Sequence, residues 1–167
     1  VKDTEVRNFC VTAYNAAVAD LQSAGKGRLY PQALLPFWDL DLAVQELERC
    51  DDELSLTGFT MTDAPEQRQH PYQHDRFWDP LWSVAQERGS PVNFHIGSGT
   101  SLPAWKGRGN NRSLAAVSTM MFMNNMRCLT NLILSGLLDR FPSLKFVPAS
   151  LTTSGIWIFI FLAASTM

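Results

Sequence analysis

The stretch Pro91-Val92-Asn93-Phe94-His95-Ile96-Gly97 alternates apolar and polar side chains and ends at a glycine. Successive side chains of a β-strand point to opposite faces, so the pattern predicts a strand over residues 91–96. Its apolar side chains would share one face, and Asn93 and His95 would share the other. A polar pair opposite an apolar face, on a strand that is buried on both sides, indicates the inside of a barrel.

Helical and strand-like patterns alternate on both sides of this stretch. The first helix is predicted from the spacing of Val6, Phe9, Cys10, Ala13, Ala17 and Leu21, without interior glycine or proline. Helices are predicted over 4–24, from Asp39 or Asp41 to Cys50, from Asp79-Pro80 to Gly89, over 113–126 and over 129–138. Strands are predicted over 28–37, 54–62, 91–96 and 144–147, and the apolar run 156–164 is a last helix or strand.

Alternating strands and helices are typical of parallel βαβ units and therefore of an α/β fold. In such folds the chemistry lies at the carboxyl ends of the strands. The residues at those ends are Trp38-Asp39, Thr60 to Asp63, His95 to Gly99 and Ala149-Ser150.

Composition and charge exclude several classes of protein. The 167 residues are 46% hydrophobic and 18% charged, which is the balance of a soluble globular domain. A net charge of −2 argues against a nucleic-acid partner, because phosphate contacts require a basic surplus. The longest apolar run, 156–164, is far shorter than the ~20 residues of a transmembrane helix.

The N-terminal residues and the cysteines predict a cytoplasmic location. The charged start at Val1 does not resemble a signal peptide. Cys10, Cys50 and Cys128 are odd in number and lack metal-ligand spacing, which favours a reducing compartment over a disulfide framework. We expect a small-molecule substrate and no membrane partner, and the sequence is compatible with a homo-oligomer.

The three histidines allow different interpretations. His95 at a strand end could bind a metal through a neutral imidazole, but spacing alone favours a core histidine held by one hydrogen bond. His70 and His74 have the spacing of a helical ligand pair, yet Pro71 lies between them. These two residues are therefore interpreted as loop residues, with substrate contact as the lesser alternative.

The loop after the predicted strand 91–96 is rich in glycine and in basic residues. Gly97-Ser98-Gly99 lacks the third glycine and the lysine of a phosphate-binding loop. Lys106, Arg108 and Arg112 could attract a substrate carboxylate, although solvated surface charge is the simpler interpretation. Further on, Asp139-Arg140 is interpreted as an ion pair at a helix end.

Several segments, in the same order along the chain, resemble the amidohydrolase-related family, which includes aminocarboxymuconate semialdehyde decarboxylase. The likeness spans about residues 10–150. The segments are 34–36 (LLP) with 41–47 (DLAVQEL), 62–66 (TDAPE), 77–82 (FWDPLW), 91–97 (PVNFHIG) and 135–146 (SGLLDRFPSLKF).

The resemblance implies a TIM-like (β/α)8 barrel, of which this chain would supply about four to five βα units. Residues 1–167 would form a single incomplete barrel domain with a divergent segment over 148–167. The family uses a divalent metal, usually zinc, and its mid-barrel metal histidine falls on His95. The resemblance and the strand ends together give these candidate substrate-binding residues: Trp38, Asp63, His74, Trp82 and Arg108.

The implied function is a metal-dependent hydrolase or decarboxylase that acts on a small carboxylate-bearing or amide-like substrate. The family's metal-binding His-x-His pair does not occur in this sequence, and the late aspartate ligand would lie beyond Met167. The alternative is a catalytically inactive partial barrel that serves as a binding or interaction module, since uncovered strand edges invite pairing with another chain.

Overall fold

A computed structural model describes residues 3–95, 112, 115 and 125–148. Arg108, the loop 98–111, most of the predicted helix 113–126 and the divergent segment from 149 onward lie outside the described residues. No helix in the described part of the chain has the length and hydropathy needed to cross a membrane. The elements are α1 (Thr4–Ala24), α2 (Leu40–Asp52), β1 (Phe59–Thr62), α3 (Asp79–Glu87), β2 (Val92–His95), α4 (125–134), α5 (Leu137–Arg140) and β3 (Phe146–Pro148), with 3-10 turns at Pro65–Arg68 and Arg76–Trp78.

The three strands form one parallel sheet in the order β1-β2-β3. Thr62 is in register with His95, and Phe94 is in register with Pro148, so the carboxyl ends of the strands meet at one edge. Parallel neighbours require a crossover connection, and α3 provides it between β1 and β2. The predicted α/β fold is therefore confirmed.

One face of the sheet packs against the helices and forms the core. Phe59, Met61, Val92 and Phe94 alternate with polar residues along β1 and β2, and each is 2% exposed or less. Helices α2, α3 and α4 cover this face with apolar side chains. Among them are Ala43, Leu47 and Cys50 of α2, Leu81, Trp82 and Ala85 of α3, and Cys128 and Leu132 of α4.

Helix α1 has the predicted bounds, but it presents a different face to the core. Val6, Phe9 and Leu21, which define its apolar period, are 45%, 72% and 54% exposed. The buried positions are Val11, Asn15 and Ala19. Apolar residues occur on several sides of this helix, and a polar contact selects the side that docks.

That contact is made by Asn15, whose amide binds both backbone groups of Leu34. Its Nδ2 donates to the Leu34 carbonyl oxygen and its Oδ1 accepts from the Leu34 N–H, both at 2.9 Å. Nδ2 also donates to Glu46 Oε1 on α2 at 2.7 Å. Burial acts to raise the pKa of Glu46, but the hydrogen bonds from Arg49 and Asn15 outweigh it and the pKa is lowered. Asn15 thus connects α1, the segment around Leu34 and α2.

The predicted strand over 28–37 is wrong, because only Ala33 pairs with β1. Ala33 N–H donates to Gly58 and its carbonyl accepts from Thr60. Pro31 and Pro36 supply no N–H on either side of this bridge. Pro31 lies two residues before Ala33 on the side that pairs with β1, and the carbonyl of Leu35, two residues after it, accepts from the Phe37 N–H at 3.0 Å in a turn, so the pairing with β1 does not extend.

Two predicted boundaries are also wrong. The strand predicted over 54–62 begins only at Phe59, because Ser55 has a φ of 55° and extended backbone cannot continue through it. The helix predicted to continue through 129–138 is continuous only to residue 134. It ends before Gly136, whose φ of 74° suits glycine.

Candidate active site

The carboxyl end of the sheet carries a polar face formed by β1 and β2. Thr60 is paired in register with Asn93, and Thr62 with His95. His95 is exposed, whereas the other three side chains are half-buried. The predicted separation of polar and apolar side chains is confirmed. Within the described residues, β2 is buried on the face that carries Phe94, whereas on the other face Asn93 is half-buried and His95 is exposed.

Asn93 is fixed on this face by hydrogen bonds. Its Nδ2 donates to Gln32 Oε1, and it lies 3.4 Å from the carbonyl oxygen of Phe59. A side chain at Gly58 would place its Cβ 2.5 Å from Gln32 Oε1, so glycine is what allows Gln32 to approach the strand. The base of the polar face is therefore ordered, and His95 projects at its open end.

Gln73 bonds to two of the predicted site residues, Asp63 and Trp82, and directly precedes a third, His74. It is 1% exposed, and its Nε2 donates to the carbonyl oxygens of Asp63 at 2.8 Å and of Thr62 at 3.3 Å. Its own carbonyl accepts from Trp82 Nε1 at 2.9 Å. The neighbouring residue, His74, occupies a turn and is half-buried. Sequence reasoning missed Gln73, because no spacing rule marks a glutamine in a polar loop as buried.

Asp63 is the most unusual carboxyl group in the described structure. It is 1% exposed, and neither of its carboxylate oxygens has a hydrogen-bond partner among the described residues. Burial raises its pKa, and the opposing positive charge of Arg127 does not cancel that effect. Asn125, on α4, is also 1% exposed, and its side-chain amide likewise has no partner in the described part.

Cys128 lies beside Gln73, and burial favours the protonated form of its thiol. Its sulfur is 3.7 Å from Gln73 Nε2. Burial, with a further contribution from the charge of Asp63, raises the pKa of the thiol to about 12. A thiol with that pKa is protonated at neutral pH and does not act as a nucleophile.

Trp82 bonds to Gln73 but is fully buried in the core. The other two predicted residues do not join this group. Trp38 packs against α1 instead, where its Nε1 donates to Asn8 Oδ1 at 3.0 Å and the guanidinium of Arg7 lies 4.6 Å from its ring. Arg108 lies outside the described residues.

No three His, Cys, Asp or Glu side chains lie close enough to hold a metal ion within residues 3–95, 112, 115 and 125–148. The described residues do not by themselves fit a complete metal site. Zinc bound for catalysis takes three protein ligands, and the polar face offers one imidazole, that of His95.

Comparison with known proteins gives consistent matches. A model of the amidohydrolase family matches residues 2–149. A curated 2-keto-4-carboxy-3-hexenedioate hydratase from Sphingobium sp. (strain NBRC 103272 / SYK-6) is 31% identical over 121 residues, covering 71% of this chain and 32% of that protein.

Two solved structures have the same fold. The 5-carboxyvanillate decarboxylase from Sphingomonas paucimobilis superimposes with a TM-score of 0.64 at 25% identity, over 86% of this chain and 42% of that one. A manganese-bound 5-carboxyvanillate decarboxylase variant from Novosphingobium aromaticivorans gives a TM-score of 0.67 at 20% identity, over 87% of this chain and 40% of that one.

The chain spans less than half of the length of each of these three proteins. The match to the family model nevertheless takes in most of its residues, in agreement with the motif order along the sequence. The resemblance inferred from the sequence is confirmed, and the chain belongs to the amidohydrolase family.

Proposed function

We propose that this chain supplies part of the active site of a metal-dependent enzyme, a decarboxylase or related lyase or a hydrolase, that acts on a small carboxylate-bearing substrate. The observation that carries the proposal is the position of His95. It is exposed at the carboxyl end of the middle strand of a parallel sheet, on a face lined with polar side chains. In barrels built from βα units, catalytic residues lie at that end.

The substrate class is supported by what the related proteins act on. The hydratase acts on a 2-keto-4-carboxy-3-hexenedioate and the decarboxylase on 5-carboxyvanillate, and both names describe carboxylates. We infer that lyase chemistry is favoured over amide hydrolysis for this chain. Arg108 is a candidate for holding the substrate carboxylate, because a guanidinium can bind one through two parallel hydrogen bonds.

The metal is proposed to be a divalent ion, with zinc as the expected ion and manganese as the ion bound in one related structure. His95 would be one ligand, and the other ligands would come from outside the described residues. A bound divalent ion would supply Lewis acidity at the strand ends. The residues of this chain would position His95, with Thr62 beside it in register and Asn93 ordered beneath it.

The surrounding architecture is proposed on the same basis. Residues 1–167 would form one barrel domain, to which the three described strands belong. Direct substrate contact by Asp63 and Trp82 would require access to side chains that are buried in this structure. A cytoplasmic location is supported by Cys10, Cys50 and Cys128, which are all free thiols.

Metal binding by the 167-residue chain tests the role of His95. Manganese binding, measured by electron paramagnetic resonance, should weaken at least 10-fold in His95→Ala, since even loss of a residue that supports a ligand costs about 10–100-fold. His70→Gln is the matched control, because His70 contacts the Trp78 ring, 5.9 Å away, and lies off the polar face. Equal binding by His95→Ala and the unmodified chain would contradict the ligand assignment.

The reaction class is tested by incubating the metal-loaded chain with aromatic and aliphatic polycarboxylates and following carbon dioxide release and hydration separately. Release of carbon dioxide or hydration supports the proposed lyase. A folded chain that binds these compounds without metal and without turnover would instead support the binding module.

A further inference from the structure

A groove separate from the polar face of the sheet runs between the loop that precedes α3 and the outer side of α4. Its volume is about 500 Å3. We call it the His74 groove, and the described residues that line it are His74, Arg127, Thr130, Asn131, Leu134 and Ser135.

The groove and His95 lie on different sides of the sheet. Cys128 and Leu132 of α4 line one narrow space together with Phe94, so α4 covers the face of β2 that carries Phe94. His95 follows Phe94 in the strand and points to the opposite face. Leu134, on the groove side of α4, is 79% exposed. A ligand in the groove would therefore not contact the polar face.

His74 is held in one orientation. Arg140 Nη2 donates to its carbonyl oxygen at 2.8 Å and is anchored in turn by Asp79 Oδ1 at 2.9 Å. The arginine thus pairs with Asp79 of α3, and the predicted ion pair with its neighbour in sequence is wrong. The imidazole stacks on Tyr72 with ring centroids 5.6 Å apart and an angle of 20°. A fixed ring is already oriented for a ligand.

The hydrogen bond to Asn131 determines which nitrogen of the His74 ring can donate to a ligand. His74 Nδ1 lies 3.1 Å from Asn131 Nδ2, which can only donate. Nδ1 therefore accepts, and in the neutral imidazole the proton resides on Nε2. The ring then offers an N–H donor away from Asn131.

The lining of the groove is rich in donors and lacks a carboxylate among the described residues. The guanidinium of Arg127 is 51% exposed, and Glu66 accepts a hydrogen bond from its Nη2 at 3.0 Å. An arginine carries five N–H donors, so this ion pair leaves donors available. Thr130 adds a hydroxyl group. Such a lining favours an anion.

Apolar surface beside these donors favours an organic anion over an inorganic one. Leu134 is largely exposed, and Tyr72 is 50% exposed where it stacks on His74. An inorganic ion would leave both surfaces uncovered, whereas an organic acid with a flat or aliphatic body could cover them.

We propose that the His74 groove binds a small organic carboxylate, with Arg127 and His74 contacting the carboxylate and Leu134 contacting the apolar body. Arg127 can meet the two carboxylate oxygens with parallel N–H groups. Glu66 competes with the ligand for this guanidinium. The site requires no metal and does not depend on the proposed function.

The test is to titrate the metal-free 167-residue chain with benzoate and to measure binding by isothermal titration calorimetry. Benzamide, which is neutral and of similar shape, is the control ligand. Arg127→Gln should weaken benzoate binding about 10-fold or more, because it removes a charged hydrogen-bond donor. Glu66→Gln should tighten binding, because it releases the guanidinium. Arg76→Gln is the control for net charge, since Arg76 lies on the same loop with its side chain 82% exposed and does not line the groove.

Opposite effects of Arg127→Gln and Glu66→Gln, with Arg76→Gln unchanged and benzamide not bound, support the proposal. Equal losses in Arg127→Gln and Arg76→Gln would show attraction by net charge alone and overturn it. Equal affinity for benzamide, or no binding of benzoate, would also overturn it. Repeating the titration with His95→Ala should give the unmodified affinity, and a loss there would place benzoate at the polar face instead.

Discussion

The two faces of the three-stranded sheet differ in burial although the same short strands form both. On the helix side every side chain of β1 and β2 is 2% exposed or less, whereas on the other side none is fully buried. The buried face consists of Phe59, Met61, Val92 and Phe94, and the polar face consists of Thr60, Thr62, Asn93 and His95.

In this chain, adjacent residues of one strand therefore have different roles: one packs in the core and stabilises the fold, and the next lies on the polar face. A strand has a period of two, so each residue that packs in the core holds a polar neighbour at a fixed position on the other face. Substitutions on the buried face should change the free energy of unfolding. Substitutions on the polar face should change binding while leaving the fold intact.

The largest effect is expected for Phe59→Ala. Phe59 is fully buried and its ring centroid is 6.4 Å from that of Phe37, so truncation leaves a cavity. We expect a loss of about 3–5 kcal/mol in the free energy of unfolding, measured by urea denaturation. A chain of this size loses about 2–4 °C in Tm for each kcal/mol, so Tm should fall by about 6–20 °C.

The adjacent residue provides the matched control. Thr60 is half-buried on the polar face, and Thr60→Ala removes a hydroxyl and a methyl group without opening the core. Its effect should remain below about 1 kcal/mol. Comparable losses in the two variants would contradict the separation of the faces.

A smaller effect of opposite sign is expected for Asp63→Asn. Asp63 lies just past β1, and it is buried without a hydrogen-bond partner in the described residues. An unpaired buried carboxylate destabilises the fold, and asparagine keeps its shape without the charge. We expect Tm to rise by about 2–4 °C at neutral pH.

The pH dependence of that gain follows from the direction of the pKa shift. Burial raises the pKa of Asp63 in the folded chain above its ordinary value of 3.8. The native state therefore binds more protons than the unfolded state as the pH rises above 3.8, and the wild-type chain loses stability over that window. The difference in Tm between Asp63→Asn and wild type should be absent below this pH and grow toward neutrality. A constant difference across the range would point to packing instead of charge.

The sequence predicted those parts of the fold that local patterns determine. The alternation in residues 91–96 gave β2 and the correct assignment of its two faces, because the period of a strand is local. Of the two predicted cap candidates, Asp39 and Asp41, it is Asp39 that caps α2, since its side chain accepts from the Leu42 N–H. The family could also be predicted, because its short motifs occur in this sequence in the same order along the chain.

Tertiary contacts decided what the sequence could not predict. Gln73 gathers Asp63 and Trp82 through bonds to residues about ten positions away along the chain, and no spacing rule marks a buried glutamine. The strand predicted over 28–37 is reduced to the single bridge at Ala33, because Pro31 supplies no N–H and the Leu35 carbonyl bonds to Phe37 in a turn. The side-chain amide of Asn15 chose the docked side of α1.

The smallest effect is expected on the exposed side of that helix. Phe9 is 72% exposed and Val11 is 9% exposed, although they are two residues apart on α1. In the described structure Phe9→Ser should change the free energy of unfolding by less than about 0.5 kcal/mol, whereas Val11→Ser should cost more than about 1 kcal/mol. Both variants place serine in a helix interior, so helix propensity affects them similarly.

If Phe9→Ser instead destabilises the chain, and does so more strongly at higher protein concentration, the exposed side of α1 that carries Phe9 is covered by a second copy. A buried face on α1 would then match the buried face of the sheet, and polar contacts such as that of Asn15 would determine which apolar surface packs within the chain and which packs between chains.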